Sequence, residues 1–254
     1  MMPGLLLLAA VLGGMSDVER RYADQLICLF ENDQPTPQYD YIERLDDGRG
    51  FTAGRVGFTT GTGDLYLVVQ RYTARVPDNP LAEFLPALHD RLTATNRDDI
   101  TGLEKLPAAW TTAARDPRFR AIQDSVVDKL YYGPAMKHAD RLGIRTALGK
   151  AMLYDAIVQH GGGDDTDSLA ALLDRTQSRA GGAPKDGVDE PQWLRTFLAV
   201  RRESLSHAED SATRAAWADS VERVDVFRDL LDAGKLDLRG PLRIQVGGRL
   251  VRLP

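Results

Sequence analysis

A glycine- and carboxylate-rich segment, residues 31–64, interrupts a sequence that otherwise has mostly helical patterns, and it limits what the chain can fold into. One carboxylate, Glu31, closes a helical pattern, and another, Asp47, lies on a glycine turn 16 positions later. The segment holds seven acidic residues and three arginines, which is four of the chain's five net negative charges. Two carboxylates in unlike settings are what glycoside hydrolysis requires, one as the acid and one as the base or nucleophile.

The sequence before this segment predicts an amphipathic helix over residues 17–31. It begins with a capping box, residues 16–19, and apolar residues follow at helical spacing. Glu31 falls in the last turn, where partial burial and the negative end of the helix dipole both disfavour a carboxylate. We therefore expect Glu31 to be a proton donor; the alternative is a solvated glutamate at a helix end.

Short strands are predicted after this helix. Pro35 and Pro37 end the helix, and residues 46–50 (DDGRG) predict a tight turn. Residues 51–52 and 55–58 predict strands of a small sheet. The alternative for DDGRG alone is an ordinary hairpin turn without a catalytic role.

The remainder of the chain is predicted to be mainly helical. Helical patterns cover residues 65–72, 80–92, 112–132, 140–160, 190–205 and 211–233. We expect a break at Gly133-Pro134, a polar connection over residues 93–110, and a C-terminal hairpin around Gly247-Gly248.

Charged residues lie on apolar stripes of these helices. Asp155 lies on the stripe of the 140–160 helix, Arg201 on that of the 190–205 helix, and Arg223 at the margin of the next. Because an unpaired charge there would be costly, the pattern predicts a buried Asp–Arg network. Snorkelling arginines with a local cap are the alternative.

Composition excludes several classes of protein. The 254 residues are 43% hydrophobic and 27% charged, which is typical of one folded domain or two closely joined lobes. A net charge of −5 argues against nucleic acid as a partner. The single cysteine, Cys28, and four scattered histidines do not form a metal motif, so we expect no cofactor.

The N-terminus contains an apolar run, residues 5–12, that is too short to span a bilayer. It resembles the end of an export signal; a cloning scar or mis-called start is the alternative. We therefore treat residues 1–15 as a leader and residues 16–254 as one catalytic domain of two lobes, and we expect a secreted protein that does not bind membranes.

Taken in order, several strings resemble the chitosanases of glycoside hydrolase family 46, over about residues 16–238. The strings are Glu31-Asn32, Tyr41-Ile42-Glu43, Asp47-Gly48-Arg49-Gly50-Phe51-Thr52, Gly57-Phe58 with Gly61-Thr62-Gly63-Asp64, Tyr154-Asp155-Ala156-Ile157-Val158 with His160-Gly161, and Arg223-Val224-Asp225.

The resemblance implies a mainly α (α+β), lysozyme-like fold of two helical lobes, with a small antiparallel sheet flanking a substrate cleft. It implies that Glu31 is the general acid, that Asp47 is the general base activating a water molecule, and that Thr52 helps to hold that water. Such enzymes invert the anomeric centre, which requires carboxylates roughly 6.5–9.5 Å apart.

Other roles also follow from the resemblance. Asp64 would bind a glucosamine amino group, and Tyr41 and Arg49 would line the cleft. A charge network behind the acid would consist of Asp155, Arg201 and Arg223, while Asp219 is a candidate substrate contact. An arginine close to Glu31 would favour the carboxylate, against the burial argument. The loop between the two catalytic carboxylates is about two residues shorter than in familiar members of the family.

The expected function is therefore an endo-acting chitosanase that hydrolyses β-1,4 glucosaminidic bonds by an inverting mechanism, as a monomer with chitosan as its partner. Two alternatives stay open. One is a lysozyme-like hydrolase of peptidoglycan or chitin; the other is a non-catalytic polysaccharide-binding protein. The presence of both Glu31 and Asp47 speaks against the second, and Asp64 favours a free amine over an acetamide.

Overall fold

The computed structural model describes residues 13–206 and 220–254. The helices are α1 (Asp17–Asn32), α2 (Asp64–Arg75), α3 (Leu85–Arg91), α4 (Leu106–Ala113), α5 (Pro117–Val127), α6 (Gly133–Leu142), α7 (Ala147–His160), α8 (Leu169–Ala180), α9 (Glu190–Ser206) and α10 (Val221–Asp232). The strands are β1 (Ile42–Arg44), β2 (Phe51–Ala53), β3 (Phe58–Thr59), β4 (Leu242–Val246) and β5 (Arg249–Leu253). The fold is lysozyme-like and mainly helical, as predicted.

Helix α1 forms where the sequence predicts it. The Ser16 hydroxyl accepts a hydrogen bond from the Glu19 amide, and the Glu19 carboxylate accepts one from the Ser16 amide at 2.9 Å. The helix ends when Asp33 takes a left-handed conformation, with φ of 59°, and donates its amide to the Leu29 carbonyl. These two local caps fix the length of the helix, and so they set where Glu31 lies.

The small sheet is antiparallel, in the order β1-β2-β3. Thr52 in β2 is paired with Glu43 in β1 and with Thr59 in β3. The predicted strand over residues 55–58 is wrong for its first three residues, which form a turn. Gly54 and Gly57 have positive φ values of 72° and 71°, so the backbone reverses between them and β3 starts at Phe58.

The predicted break at Gly133-Pro134 is also wrong. One π-helical turn, Asp128–Tyr132, joins α5 to α6, and Pro134 lies in the first turn of α6. A regular helix could not accommodate the proline ring and its missing N–H in mid-helix. The wider π turn absorbs this mismatch, and the chain stays helical.

Other helix boundaries differ from the predictions. The predicted 140–160 helix is two helices, because Gly143, at φ of 75°, ends α6 and Thr146 caps α7. The predicted 93–110 connection contains the start of α4, and α8 was not predicted. The C-terminal hairpin is confirmed. Residues 1–12 of the predicted leader, Asp219, and residues 211–219 of the last predicted helix lie outside the described residues.

Helix α7 is central to the hydrophobic core. It is apolar around most of its circumference, and its residues from Ala147 to Ile157 are buried except Lys150, as expected for a helix surrounded by others. It packs against α1, α6, α8 and α10. Within residues 13–206 and 220–254, no helix is both long and apolar enough to cross a membrane.

Residues 13–15, which we assigned to the leader, contact the body of the protein. The Gly14 carbonyl accepts a hydrogen bond from Lys150 Nζ at 3.0 Å, and the Met15 amide donates to the Tyr132 hydroxyl at 2.9 Å.

Candidate active site

A cleft of about 780 Å³ lies between the end of α1, the small sheet, the π turn and the end of α7. Six of the predicted site residues line it: Glu31, Tyr41, Arg49, Thr52, Asp64 and Arg223. Asp155 and Arg201 are completely buried, and Asp47 is linked to the cleft through Arg49. A smaller cavity of about 320 Å³ between α10 and β4 contains none of the predicted residues. The predicted residues therefore gather at one site from distant parts of the chain.

Glu31 lies in the last turn of α1, with about 22% of its side chain exposed. Arg223 Nη2 donates a hydrogen bond to Glu31 Oε1 at 2.9 Å. The same nitrogen is 3.5 Å from the Phe30 carbonyl oxygen. The guanidinium therefore holds the Glu31 carboxyl group in one orientation at the edge of the cleft.

Behind Glu31, Asp155 is placed between two arginines. Arg223 Nη1 lies 3.4 Å from Asp155 Oδ1. Arg201 Nη1 lies 2.6 Å from Asp155 Oδ2, an ion pair whose atoms are not in hydrogen-bond geometry. Burial lowers the pKa of Arg223, but Asp155 and Glu31 outweigh burial, so its pKa is raised overall. The two arginines therefore face two carboxyl groups, those of Asp155 and Glu31, so the buried charges are paired.

The network continues from Arg201 to two cleft residues that sequence reasoning did not assign. Arg201 Nη2 donates to Gln159 Oε1 at 2.6 Å, and Arg201 Nε donates to His160 Nε2 at 3.3 Å. His160 Nδ1 donates to the Asp167 carbonyl at 2.9 Å, which fixes the tautomer. Burial and the charge of Arg201 hold the pKa of His160 well below its usual value. A neutral imidazole therefore connects the network to the cleft wall.

Asp47 lies in the turn between β1 and β2. Its Oδ1 accepts the Arg49 amide at 3.1 Å, and its Oδ2 accepts Arg49 Nε at 2.9 Å. Positive φ values at Asp46 and Gly48 form the tight turn that allows these contacts. The carboxylate is about 20% exposed, so it is held by its neighbour and remains accessible to solvent.

Thr52 is buried in the middle of β2 and lines the cleft. Among the described residues no group hydrogen-bonds to its hydroxyl oxygen. A buried hydroxyl without a protein partner is uncommon, and it leaves a donor and acceptor available to a water molecule or ligand in the cleft.

Asp64 begins α2 and has bonds to both carboxylate oxygens. Oδ1 accepts from the Thr59 amide and the Thr62 hydroxyl, each at 2.7 Å, and Oδ2 accepts from the Tyr131 hydroxyl at 2.9 Å. Burial raises the pKa of Asp64, although these hydrogen bonds oppose the rise. Sequence reasoning did not assign Tyr131, which falls inside the predicted 112–132 helix, because its partner Asp64 is 67 positions away in the chain.

Tyr41 is partly buried beside the sheet, and its hydroxyl donates to Glu43 Oε2 at 3.1 Å. Burial raises the pKa of Tyr41 to about 12, so the phenol is neutral. In the part of the chain that the structure describes, no group of His, Cys, Asp and Glu residues is arranged to hold a metal ion. The polar residues that line the cleft include carboxylates, hydroxyls and arginines.

Comparison with known proteins finds a matching family model and a similar curated protein. The model of Glycosyl hydrolase family 46 matches residues 25–242. A chitosanase from Bacillus subtilis (strain 168) is 48% identical over 232 residues, which is 91% of this chain and 83% of that protein.

Solved structures of similar chains also match. The complex of a Gynuella sunshinyii chitosanase with chitotetraose has a TM-score of 0.91 at 47% identity, over 94% of this chain and 99% of that one. A mutant chitosanase from Bacillus subtilis MY002, complexed with 6 GlcN, has a TM-score of 0.91 at 46% identity, over 95% of this chain and 100% of that one.

Proposed function

This chain belongs to glycosyl hydrolase family 46, and we propose that it is an endo-acting chitosanase that hydrolyses the β-1,4 glucosaminidic bonds of chitosan with inversion. The observation that carries the proposal is the convergence of Glu31, Arg49, Thr52 and Asp64 on one cleft, with Asp47 bonded to Arg49. The proposed acid, Glu31, is supplied by α1, and the proposed base, Asp47, is supplied by the turn of the sheet.

In the proposed reaction Glu31 gives its proton to the leaving glycosidic oxygen while Asp47 removes a proton from an attacking water molecule. Inversion requires the carboxylates to be roughly 6.5–9.5 Å apart, so that this water fits between the base and the sugar. The unpartnered Thr52 hydroxyl is suited to hold the water.

The charge network supports the acid role of Glu31. Negative charge develops on Glu31 as its proton leaves, and Arg223 Nη2 already lies 2.9 Å from its Oε1. A preorganised cation at the site of developing charge lowers the barrier without reorganisation. Asp155 pairs with Arg223 and is itself paired with the buried Arg201, so these contacts hold Arg223 in place.

Charge supports an amino sugar as the substrate. Chitosan is cationic below the pKa of its amines, and this chain has a net charge of −5. A protein with excess negative charge attracts such a chain, and a carboxylate such as Asp64 can form an ion pair with an ammonium group but not with an acetamide. The two similar structures described above are complexes with chitotetraose and with 6 GlcN.

We further propose that the protein acts outside the cell as a monomer. A polysaccharide must be cut where it occurs, and the cleft described above is lined by residues of a single chain. The apolar run at residues 5–12, which resembles an export signal, lies outside the described residues.

Two measurements test this function. NMR of the first products from a glucosamine oligomer should show the α-anomer; initial β-anomer would contradict inversion. Hydrolysis rates should fall steadily on chitosans of rising acetylation. Equal or higher rates on chitin or peptidoglycan would show that chitosan is not the preferred substrate.

The assignment of the base needs its own variant. Asp47→Asn should abolish turnover while oligomer binding, measured by calorimetry, stays close to that of the unaltered enzyme. Near-normal turnover in this variant would exclude Asp47 as the base.

A further inference from the structure

We propose that Arg55 is a positioning residue that sets the separation between the two catalytic carboxylates, because it joins the sheet to α1. The inference rests on the proposed inverting function. Arg55 lies in the turn between β2 and β3 and is only about 5% exposed. Arginine is rarely buried to this extent unless it is paired on several sides.

Arg55 contacts α1 at two points. Its Nη2 lies 3.1 Å from Asp24 Oδ1, and its backbone carbonyl accepts a hydrogen bond from Asn32 Nδ2 at 3.1 Å. Asp24, Cys28 and Asn32 follow one another at intervals of four, so they share one face of the helix. The face of α1 next to Glu31 is therefore held against the Arg55 turn.

Arg55 also contacts α5. Its Nη1 pairs with Asp124 Oδ1, and its backbone amide donates to Gln123 Oε1 at 3.3 Å. One side chain thus bridges carboxylates from two helices. The guanidinium is suited to this because its nitrogens point in fixed, different directions, whereas the single ammonium of lysine cannot reproduce the fork.

The path between the catalytic groups through this contact is short. Asn32 adjoins the acid Glu31. Arg55 follows β2 by two residues, and the other end of β2 is joined to the Asp47 turn. A shift of the Arg55 turn away from α1 would therefore widen the gap in which the water molecule must fit. A misplacement of about 1 Å can reduce a rate by about a hundredfold.

Arg20 provides a matched control, because it also pairs with Asp24 but does not belong to the sheet. Arg20 Nε lies 3.0 Å from Asp24 Oδ2, and its guanidinium lies 3.7 Å from the Tyr132 ring centroid. It also pairs with Asp128 at 2.9 Å. These contacts join α1 to the π turn. A substitution of Arg20 therefore disturbs the same helix but leaves the contacts between α1 and the Arg55 turn in place.

The first test compares Arg55→Lys with Arg20→Lys. We expect Arg55→Lys to lower kcat on a glucosamine hexamer by about tenfold to a hundredfold, with KM changed by less than about twofold. Both variants should lower the midpoint of thermal unfolding by a similar amount, but Arg20→Lys should keep kcat within about twofold of the unaltered enzyme. Equal kcat values in the two variants, whether both reduced or both retained, would overturn the positioning role.

A second variant and a structural measurement keep the test decisive if Arg55→Lys does not fold. Asp124→Asn removes the negative charge of one partner of Arg55, at a side chain that is 41% exposed, and it should lower kcat by about threefold or more without a change in KM. An unchanged kcat would count against the inference.

Crystal structures give a readout that does not depend on activity. The distance from Glu31 Cδ to Asp47 Cγ should differ by more than about 0.5 Å between Arg55→Lys and the unaltered protein. An unchanged distance in Arg55→Lys would overturn the inference, whatever the activity of the variant. If the unaltered protein did not hydrolyse chitosan, the proposed function would be wrong instead.

Discussion

Arg223 joins Glu31 to Asp155: its Nη2 lies 2.9 Å from Glu31 Oε1 and its Nη1 lies 3.4 Å from Asp155 Oδ1. The residue that we propose as the acid is therefore at the exposed end of a chain of charges whose other end, Arg201, is completely buried. A carboxylate at this place is held in one orientation and can still reach the cleft.

Glu31→Gln should remove the transferable proton while keeping the shape of the side chain. The glutamine oxygen can still accept from Arg223, so the midpoint of thermal unfolding should change little. We expect kcat to fall by about 10² to 10⁴ or more, the range for loss of a general acid. A reducing-sugar assay measures this directly. Activity above about a tenth of the unaltered level would exclude Glu31 as the acid.

Thr52→Val should separate catalysis from stability. Because the Thr52 hydroxyl has no partner among the described residues, its removal breaks no protein hydrogen bond, and stability should be equal or higher. If the hydroxyl holds the attacking water, kcat should fall by about tenfold or more, the equivalent of one hydrogen bond.

Thr59→Val is the matched comparison for stability. Thr59 is also buried, but its hydroxyl bonds to Thr62 Oγ1 at 2.7 Å and accepts the Thr62 amide. It should therefore lose about 1 kcal/mol of unfolding free energy in urea. A Thr52→Val enzyme with full kcat, or with a stability loss as large as that of Thr59→Val, would contradict the proposed role.

Local signals explain which parts of the fold were predictable. The start of helix α1 was predicted at the correct residue because the capping box at residues 16–19 is complete in four consecutive positions. The turn at residues 46–50 was predictable for the same reason. The break at Gly143 was not, because apolar residues continue at helical spacing across it and only the Thr146 cap marks the new start.

Contacts between distant residues were beyond local reasoning. Glu31 and Arg223 are 192 positions apart, and periodicity alone indicated only that Arg223 lies at the margin of an apolar stripe. Tyr131 and Asp64 are 67 positions apart, and Tyr131 lies in a π turn that the helical pattern did not predict. The helical pattern suggested which charges are buried, but their partners depend on how the helices pack.

Asp64→Asn should remove a pH dependence of substrate binding. Burial raises the pKa of Asp64 above its ordinary 3.8, so the carboxylate becomes protonated, and loses its attraction for an ammonium group, at a higher pH than an exposed aspartate does. We therefore expect KM for glucosamine oligomers to rise as the pH falls toward this raised pKa. In Asp64→Asn, KM should be higher at neutral pH and independent of pH over this range.

Asp46→Asn is the control for this prediction, since its side chain is 84% exposed and lies outside the cleft lining. It should keep the acid-side rise in KM. A rise of the same size in Asp64→Asn would mean that another group titrates, and would contradict the assignment of Asp64 to the ammonium site.

His160 should make the fold sensitive to acid. Its imidazole is about 6% exposed, and burial with the nearby charges of Arg201, Arg223 and Arg175 holds its pKa well below the ordinary 6.5. The unfolded chain therefore binds a proton near pH 6.5 that the folded protein resists. The stability contributed by neutral His160 is fully present above about pH 6.5 and is lost as the pH falls toward the lowered folded pKa.

His160→Gln should accordingly flatten the acid side of the stability curve. Glutamine does not titrate and can still accept a hydrogen bond from Arg201, so the midpoint of thermal unfolding should fall less between about pH 6.5 and 4 than in the unaltered protein. His138→Gln is the control, because its pKa is also lowered but its ring contacts Arg141 at the surface. Because His138 is only half buried, its replacement should flatten the curve much less. If His160→Gln and the unaltered protein lost stability equally as the pH falls, the buried imidazole of His160 would not be the source of the acid sensitivity.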